Sequence, residues 1–158
     1  MSWAELDAAG FKLRLSELEL GAVNVVVQPG QWPLPRIDHF GLALDDDEFE
    51  CTLGRAEDAD LWVQEHGGRR TFVSTNVGYR LELHPPREWI DDLLARGDRL
   101  HLSELHLRAD DPRAKARALA ELLDCTRDGG DVEVGGTLVR FVPGGPQGRP
   151  ELHGELFV

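Results

Sequence analysis

Hydrophobic and polar positions alternate with period two over several short stretches, and that period predicts strands. Phe11–Leu20 alternates through Phe11, Leu13 and Leu15, and Ala22–Val27 is β-branched. Ile37–Leu44 sets Phe40, Leu42 and Leu44 on one face and His39, Gly41 and Ala43 on the other. Glu48–Leu53, with Phe49, Cys51 and Leu53 on one side, reads as a further strand after a turn at Asp45–Asp47. Thr71–Val77 and Gly78–Leu83 read as a hairpin in which Leu81 and Leu83 oppose Arg80, Glu82 and His84. Leu100–Ala109 opposes its leucines to Glu104, His106 and Arg108. Val132–Val142 predicts a hairpin about Gly135-Gly136, and Glu151–Val158 a last strand carrying His153, Glu155 and Phe157 on one side.

The helical period predicts four helices. Ser2–Ala9 is a short one, stopped by Gly10. Ala59, Trp62, Val63 and His66 make a stripe over Glu57–His66, closed by Gly67-Gly68. Pro85-Pro86 opens a helix with Trp89, Ile90, Leu93 and Leu94 on its apolar side, ended by Gly97. The clearest helix starts at Asp111-Pro112, an N-cap followed by proline at the first helical position, and lines up Ala116, Leu119, Ala120 and Leu123. Three prolines in Pro29–Pro35 make a linker or edge excursion, and Pro143–Pro150 a loop.

Two of these stretches repeat each other. Ile37-Asp-His-Phe-Gly-Leu-Ala-Leu-Asp-Asp-Asp47 and Leu102-Ser-Glu-Leu-His-Leu-Arg-Ala-Asp-Asp-Pro112 are both alternating strands ending in aspartates. An internal repeat predicts a repeated unit of architecture. The element order is β-α-β-β followed by β-α-β-β, an α+β chain whose helices cover the apolar face of mixed sheets. The other face is left to curl around something else. Residues 1–35 form an N-terminal extension, 36–98 a first module and 99–158 a second.

The chain has 158 residues and a formal net charge of −12. So acidic a surface argues against nucleic acid and against anionic membranes as partners. No apolar run approaches a membrane span. Cys51 and Cys125 form no CxxC; with no export signal in view they read as reduced, buried and cytoplasmic. Serine-hydrolase elbows, phosphate-binding glycine loops and HExxH are absent.

Alternation places His39, Glu82, His84, Glu104, His106, His153 and Glu155 opposite the leucines. Imidazoles and carboxylates together suit Zn, Fe(II), Mn, Co or Ni. Arg80 and Arg108 share those faces and could clamp a carboxylate or phosphate. Of the tryptophans, Trp32 in the proline loop is the one placed to meet a ligand. His84, beside Pro85-Pro86, reads as a strand-end residue. A wet antiparallel sheet face shows the same alternation without any function.

From Arg36 onward, the module openings, the helix Asp111–Asp124 and the strand Gly78–Pro86 resemble the vicinal oxygen chelate superfamily, which includes glyoxalase, extradiol dioxygenase and bleomycin-resistance proteins. The resemblance implies paired βαβββ modules whose sheets curl into a cup with helices outside. It implies a divalent metal held by His39 and Glu82 from the first module and by His106 or Glu104, with Glu155, from the second; where His106 is the ligand, Glu104 is left as general base. The ligand would be a small oxygenated metabolite, and the activity that of a lyase, isomerase or dioxygenase. The alternative is a metal-free protein that sequesters an antibiotic-like molecule, in the manner of dimeric relatives.

Overall fold

The computed structural model describes residues 8, 16–20, 23–27, 38–66, 70–75, 78–95, 102–144 and 151–157. The expected helix over Ser2–Ala9, the proline linker and Trp32 lie outside these residues, apart from Ala8. Strands β1 (Ser16–Leu20) and β2 (Val23–Val27) pair antiparallel as a separate two-stranded sheet.

The first module begins with β3 (His39–Ala43) and helix α1 (Asp46–Asp58), which replaces the strand expected over Glu48–Leu53. Two features decide for helix. Asp45 accepts from Glu48 N at 2.8 Å while the Glu48 carboxylate reaches back to Asp45 N at 3.2 Å, a reciprocal cap. The inward residues are Phe49, Thr52, Leu53 and Ala56, spaced i, i+3, i+4, i+7, so the Phe49–Cys51–Leu53 alternation is a coincidence within a helical stripe. Cys51 falls on the opposite side and is exposed, not buried as expected.

The helix expected over Glu57–His66 does not form. Asp60 turns the chain with φ 51°, Leu61 N bonds back to Ala56 O, and the segment continues as β4 (Val63–His66). Trp62, offered as core by the helical stripe, is 59% exposed. Then follow β5 (Arg70–Ser74), β6 (Arg80–His84) and helix α2 (Glu88–Ala95).

The second module runs β7 (Glu104–Ala109), α3 (Pro112–Leu123), β8 (Arg127–Asp128), β9 (Asp131–Val134) and β10 (Thr137–Pro143), with β11 (Glu151–Phe157) added after it. Helix α3 is capped as expected, Asp111 accepting from Ala114 N at 3.0 Å with Pro112 in the first turn. Gly130 is required by space: a Cβ there would lie 2.6 Å from Phe141 O, because Phe141 N donates to Gly130 O at the β9–β10 crossing.

Each module is thus β-α-β-β-β, and the two sheets have matching orders, β3-β6-β5-β4 and β7-β10-β9-β8. In both, the first strand runs parallel to the fourth and the rest are antiparallel. Strand β11 lies outside the repeat, antiparallel on the free edge of β7. Both sheets are open; among the described residues no ladder joins them into a barrel. Helices α1 and α3 lie on the leucine faces. Val73, Leu81 and Leu83 of the first sheet and Leu105, Leu107 and Phe141 of the second share one core with Ala56 of α1 and Ala116, Leu119 and Leu122 of α3. Tyr79 ties the halves, its ring 5.0 Å from that of Phe40 and 6.1 Å from that of Phe141. Burying the apolar side chains of one shared core is what makes the two modules a single unit.

Candidate functional site on the polar face of the first sheet

Parallel pairing of β3 with β6 sets His39 beside Arg80, Gly41 beside Glu82 and Ala43 beside His84. Antiparallel pairing of β5 with β6 adds Phe72 beside Glu82 and Ser74 beside Arg80. All point away from the leucines. A merely wet face would leave them exposed, yet Glu82 and His84 are each only 7% exposed.

The side chains form one network. His39 Nδ1 lies 2.9 Å from Asp38 Oδ2 and His39 Nε2 lies 3.2 Å from Glu82 Oε2. The other Glu82 oxygen is 3.6 Å from His84 Nε2. Arg80 pairs with Asp38, and its guanidinium sits 4.8 Å from the centre of the Phe72 ring. The His39 ring meets Phe72 edge-on at 5.3 Å. Exposed His39 therefore leads inward to a buried carboxylate and a buried imidazole.

Flanked by carboxylates at both nitrogens, the protonated His39 ring can donate on both sides. The hydrogen bond to Glu82 and the one to Asp38 raise its pKa above 6.5 against the opposing pull of burial. At Asp38 burial pushes upward, but the hydrogen bonds and charges of His39 and Arg80 outweigh it and hold the carboxyl below 3.8.

The matching face of the second sheet carries a different set. His106 Nε2 lies 2.6 Å from Glu104 Oε2, Arg140 Nη1 lies 3.6 Å from the same oxygen, and Arg140 Nε lies 3.1 Å from Asp131 Oδ1. The Asp131 carboxylate holds the Arg140 guanidinium above its ordinary value. Arg108 is exposed on β7.

The four expected metal ligands are distributed over these faces. His39 and Glu82 meet on the first sheet, and His106 pairs with Glu104 on the second. Glu155 lies on β11, whose side chains are outside the description, and the strand that occupies the place of β6 in the second sheet is β10. Glu82 is therefore matched in position by Arg140, a residue that binds no metal cation. Among the described residues no three His, Cys, Asp or Glu side chains are grouped as metal ligands. Arg80, expected as an anion clamp, is engaged by Asp38 and Phe72.

Sequence reasoning missed Asp38, Asp131 and Arg140, and set His84 aside. A signal for His84 was present: Glu-Leu-His occurs at 82–84, 104–106 and 151–153. On a strand this tripeptide places its Glu and His on one face with Leu on the other, and in both copies with described side chains they meet.

No family profile matches the chain, and no curated protein matches it. Among solved structures, one described as hypothetical protein SA1046 from S. aureus aligns over 72% of this chain and 93% of that chain, with a TM-score of 0.35 and 10% identity. So remote a likeness carries no argument.

Proposed function

We propose that the protein is a glyoxalase-like binding protein of vicinal-oxygen-chelate type, which takes a small oxygenated metabolite at His39, Glu82 and His84. The observation that carries the reading is the near-complete burial of Glu82 and His84 on the face turned away from the core, with His39 exposed at the network's edge. Buried ionisable groups that serve no packing role concentrate at functional sites. The paired β-α-β-β-β modules with the same strand order support the family assignment.

The chemistry available is proton exchange and hydrogen bonding. His39 in its charged form donates to Asp38 and Glu82; a ligand oxygen that displaces Glu82 takes over the Nε2–H, and Glu82 accepts a proton from a ligand hydroxyl or from a carbon beside a carbonyl. Low dielectric at Glu82 strengthens either interaction. A cytoplasmic location belongs to this reading, and the two free cysteines support it.

The test is a titration of the histidine-labelled protein with pyruvate, lactate and catechol, followed through the ring resonances of His39 and His84. At least one compound should move both sets in the native chain and neither in Glu82→Gln. If no compound moves them at millimolar concentration, the reading fails. Parallel addition of Zn, Mn, Co, Ni and Fe(II) decides whether a metal is needed.

A further inference from the structure

The backbone does not hold position 41 to glycine, since its φ is not in the left-handed region. Its neighbours limit the size of a side chain there. A Cβ at Gly41 would lie 3.5 Å from His84 Nε2 and 3.7 Å from His84 Cδ2, so the imidazole from β6 lies over β3 where a side chain would stand. The second module shows the alternative. There the place of Gly41 in the repeat is taken by His106, and the place of His84 by Val142. At this place in each sheet stands an imidazole, delivered from β6 in one half and from β7 in the other. In both it faces a glutamate two residues before it, His84 at 3.6 Å from Glu82 and His106 at 2.6 Å from Glu104.

We propose that His84 is a positioning residue that fixes the Glu82 carboxylate toward His39, and that Gly41 is the position that admits it. The proposal rests on reading this face as the binding site. Glu82 presents one oxygen to each imidazole, so the ring over Gly41 sets the plane of the carboxylate and thereby which lone pairs a ligand can reach. A side chain larger than methyl at position 41 evicts the ring and frees the carboxylate to rotate.

The experiment uses the full-length, ligand-free chain with labelled histidine and glutamate. His84→Ala should shift the Glu82 carboxyl-carbon resonance and the His39 ring resonances, and His84→Gln, whose amide nitrogen reaches the same place as Nε2, should restore them. Gly41→Ala should leave them near their native positions, because the added methyl sits at ordinary contact distance. Gly41→Val should reproduce the His84→Ala shifts, and adding Gly41→Val to His84→Ala should change little more. Unmoved Glu82 and His39 resonances in His84→Ala, or shifts that simply add in the double variant, overturn the proposal. If His84→Ala fails to fold, the contrast of His84→Gln with Gly41→Val decides in its place. No ligand enters, so a failed ligand titration and a failed positioning role are separate results.

Discussion

His39 Nε2 and Glu82 Oε2 stand 3.2 Å apart across β3 and β6, and the residues at the same two places in the second sheet, Glu104 and Arg140, stand 3.6 Å apart with the charges exchanged. The first module puts its base on the first strand and its acid on the fourth; the second does the reverse. A repeated backbone therefore carries two faces of opposite arrangement. The halves have diverged in chemistry while keeping the cross-strand pair as a structural habit.

The His39 pair makes the fold pH-dependent. Folding raises the His39 pKa above 6.5, so the folded state binds the proton more tightly than the unfolded chain. That stability is fully present below 6.5 and is lost as pH rises through the folded pKa. Asp38 works in the opposite window: its contribution is present above 3.8 and is lost as pH falls through its lowered folded value. Urea denaturation of the native chain and His39→Gln between about pH 5 and about pH 9 should show a stability difference that shrinks as pH rises. A difference that stays level across that range would contradict the charged, doubly bonded ring.

The repeated aspartates are helix caps. Asp45 accepts from Glu48 N at 2.8 Å and Asp111 from Ala114 N at 3.0 Å. Asp45→Ala and Asp111→Ala should each cost about 1 kcal/mol, and Asn at either place should recover most of it. The two sites cap different helices, so the costs should add in the double variant. Chemical denaturation monitored by circular dichroism reads both.

The repeat was the legible part of the fold because it is written in short-range signals: alternation, then a cap, then a helix. Asp111-Pro112 announced its helix fully. Asp45 did not, because Phe49, Cys51 and Leu53 alternate within a helical stripe, and only the pairing of Asp45 with Glu48 separates the two periods. The segment after Asp58 failed for the opposite reason. Ala59, Trp62, Val63 and His66 have helical spacing, but the left-handed turn at Asp60 and pairing with β5 overrule it. At the site, alternation placed Arg80, Glu82 and His84 on one face. It could not show that Arg140 from β10, rather than a residue of β11, takes the place of Glu82, since strand order is set by contacts distant in sequence.

Tyr79 carries a hydroxyl into the core without an acceptor. The residue is 3% exposed, its Oη has no hydrogen-bond partner among the described residues, and burial holds its pKa above the usual phenol range. An unsatisfied buried hydroxyl costs about 1–3 kcal/mol. Tyr79→Phe keeps the contacts with Phe40 and Phe141 and removes that cost, so it should leave stability unchanged or raise it by about 1 kcal/mol. A clear loss of stability would mean that an internal water serves the hydroxyl. The urea midpoint distinguishes the outcomes.

Arg55 joins the two modules by a hydrogen bond at the margin of the core. Its Nε donates to Leu122 O at 2.7 Å, a carbonyl in the last turn of α3, and its Nη2 lies 3.2 Å from Thr52 Oγ1 on its own helix. The last carbonyls of a helix lack partners within it and carry the negative end of its dipole, so a cation from the other module satisfies both needs at once. Leu122 is buried, which leaves its carbonyl little water to fall back on if the arginine is removed. Arg55→Ala should destabilise by about 1–2 kcal/mol, and Arg55→Lys, which keeps the charge without the planar donor, should lie between. Hydrogen exchange should locate the loss in the last turn of α3 and in α1, while the paired amides of β3 and β6 stay protected. Uniform loss of protection across both sheets would instead assign Arg55 to global stability rather than to the junction of the two helices.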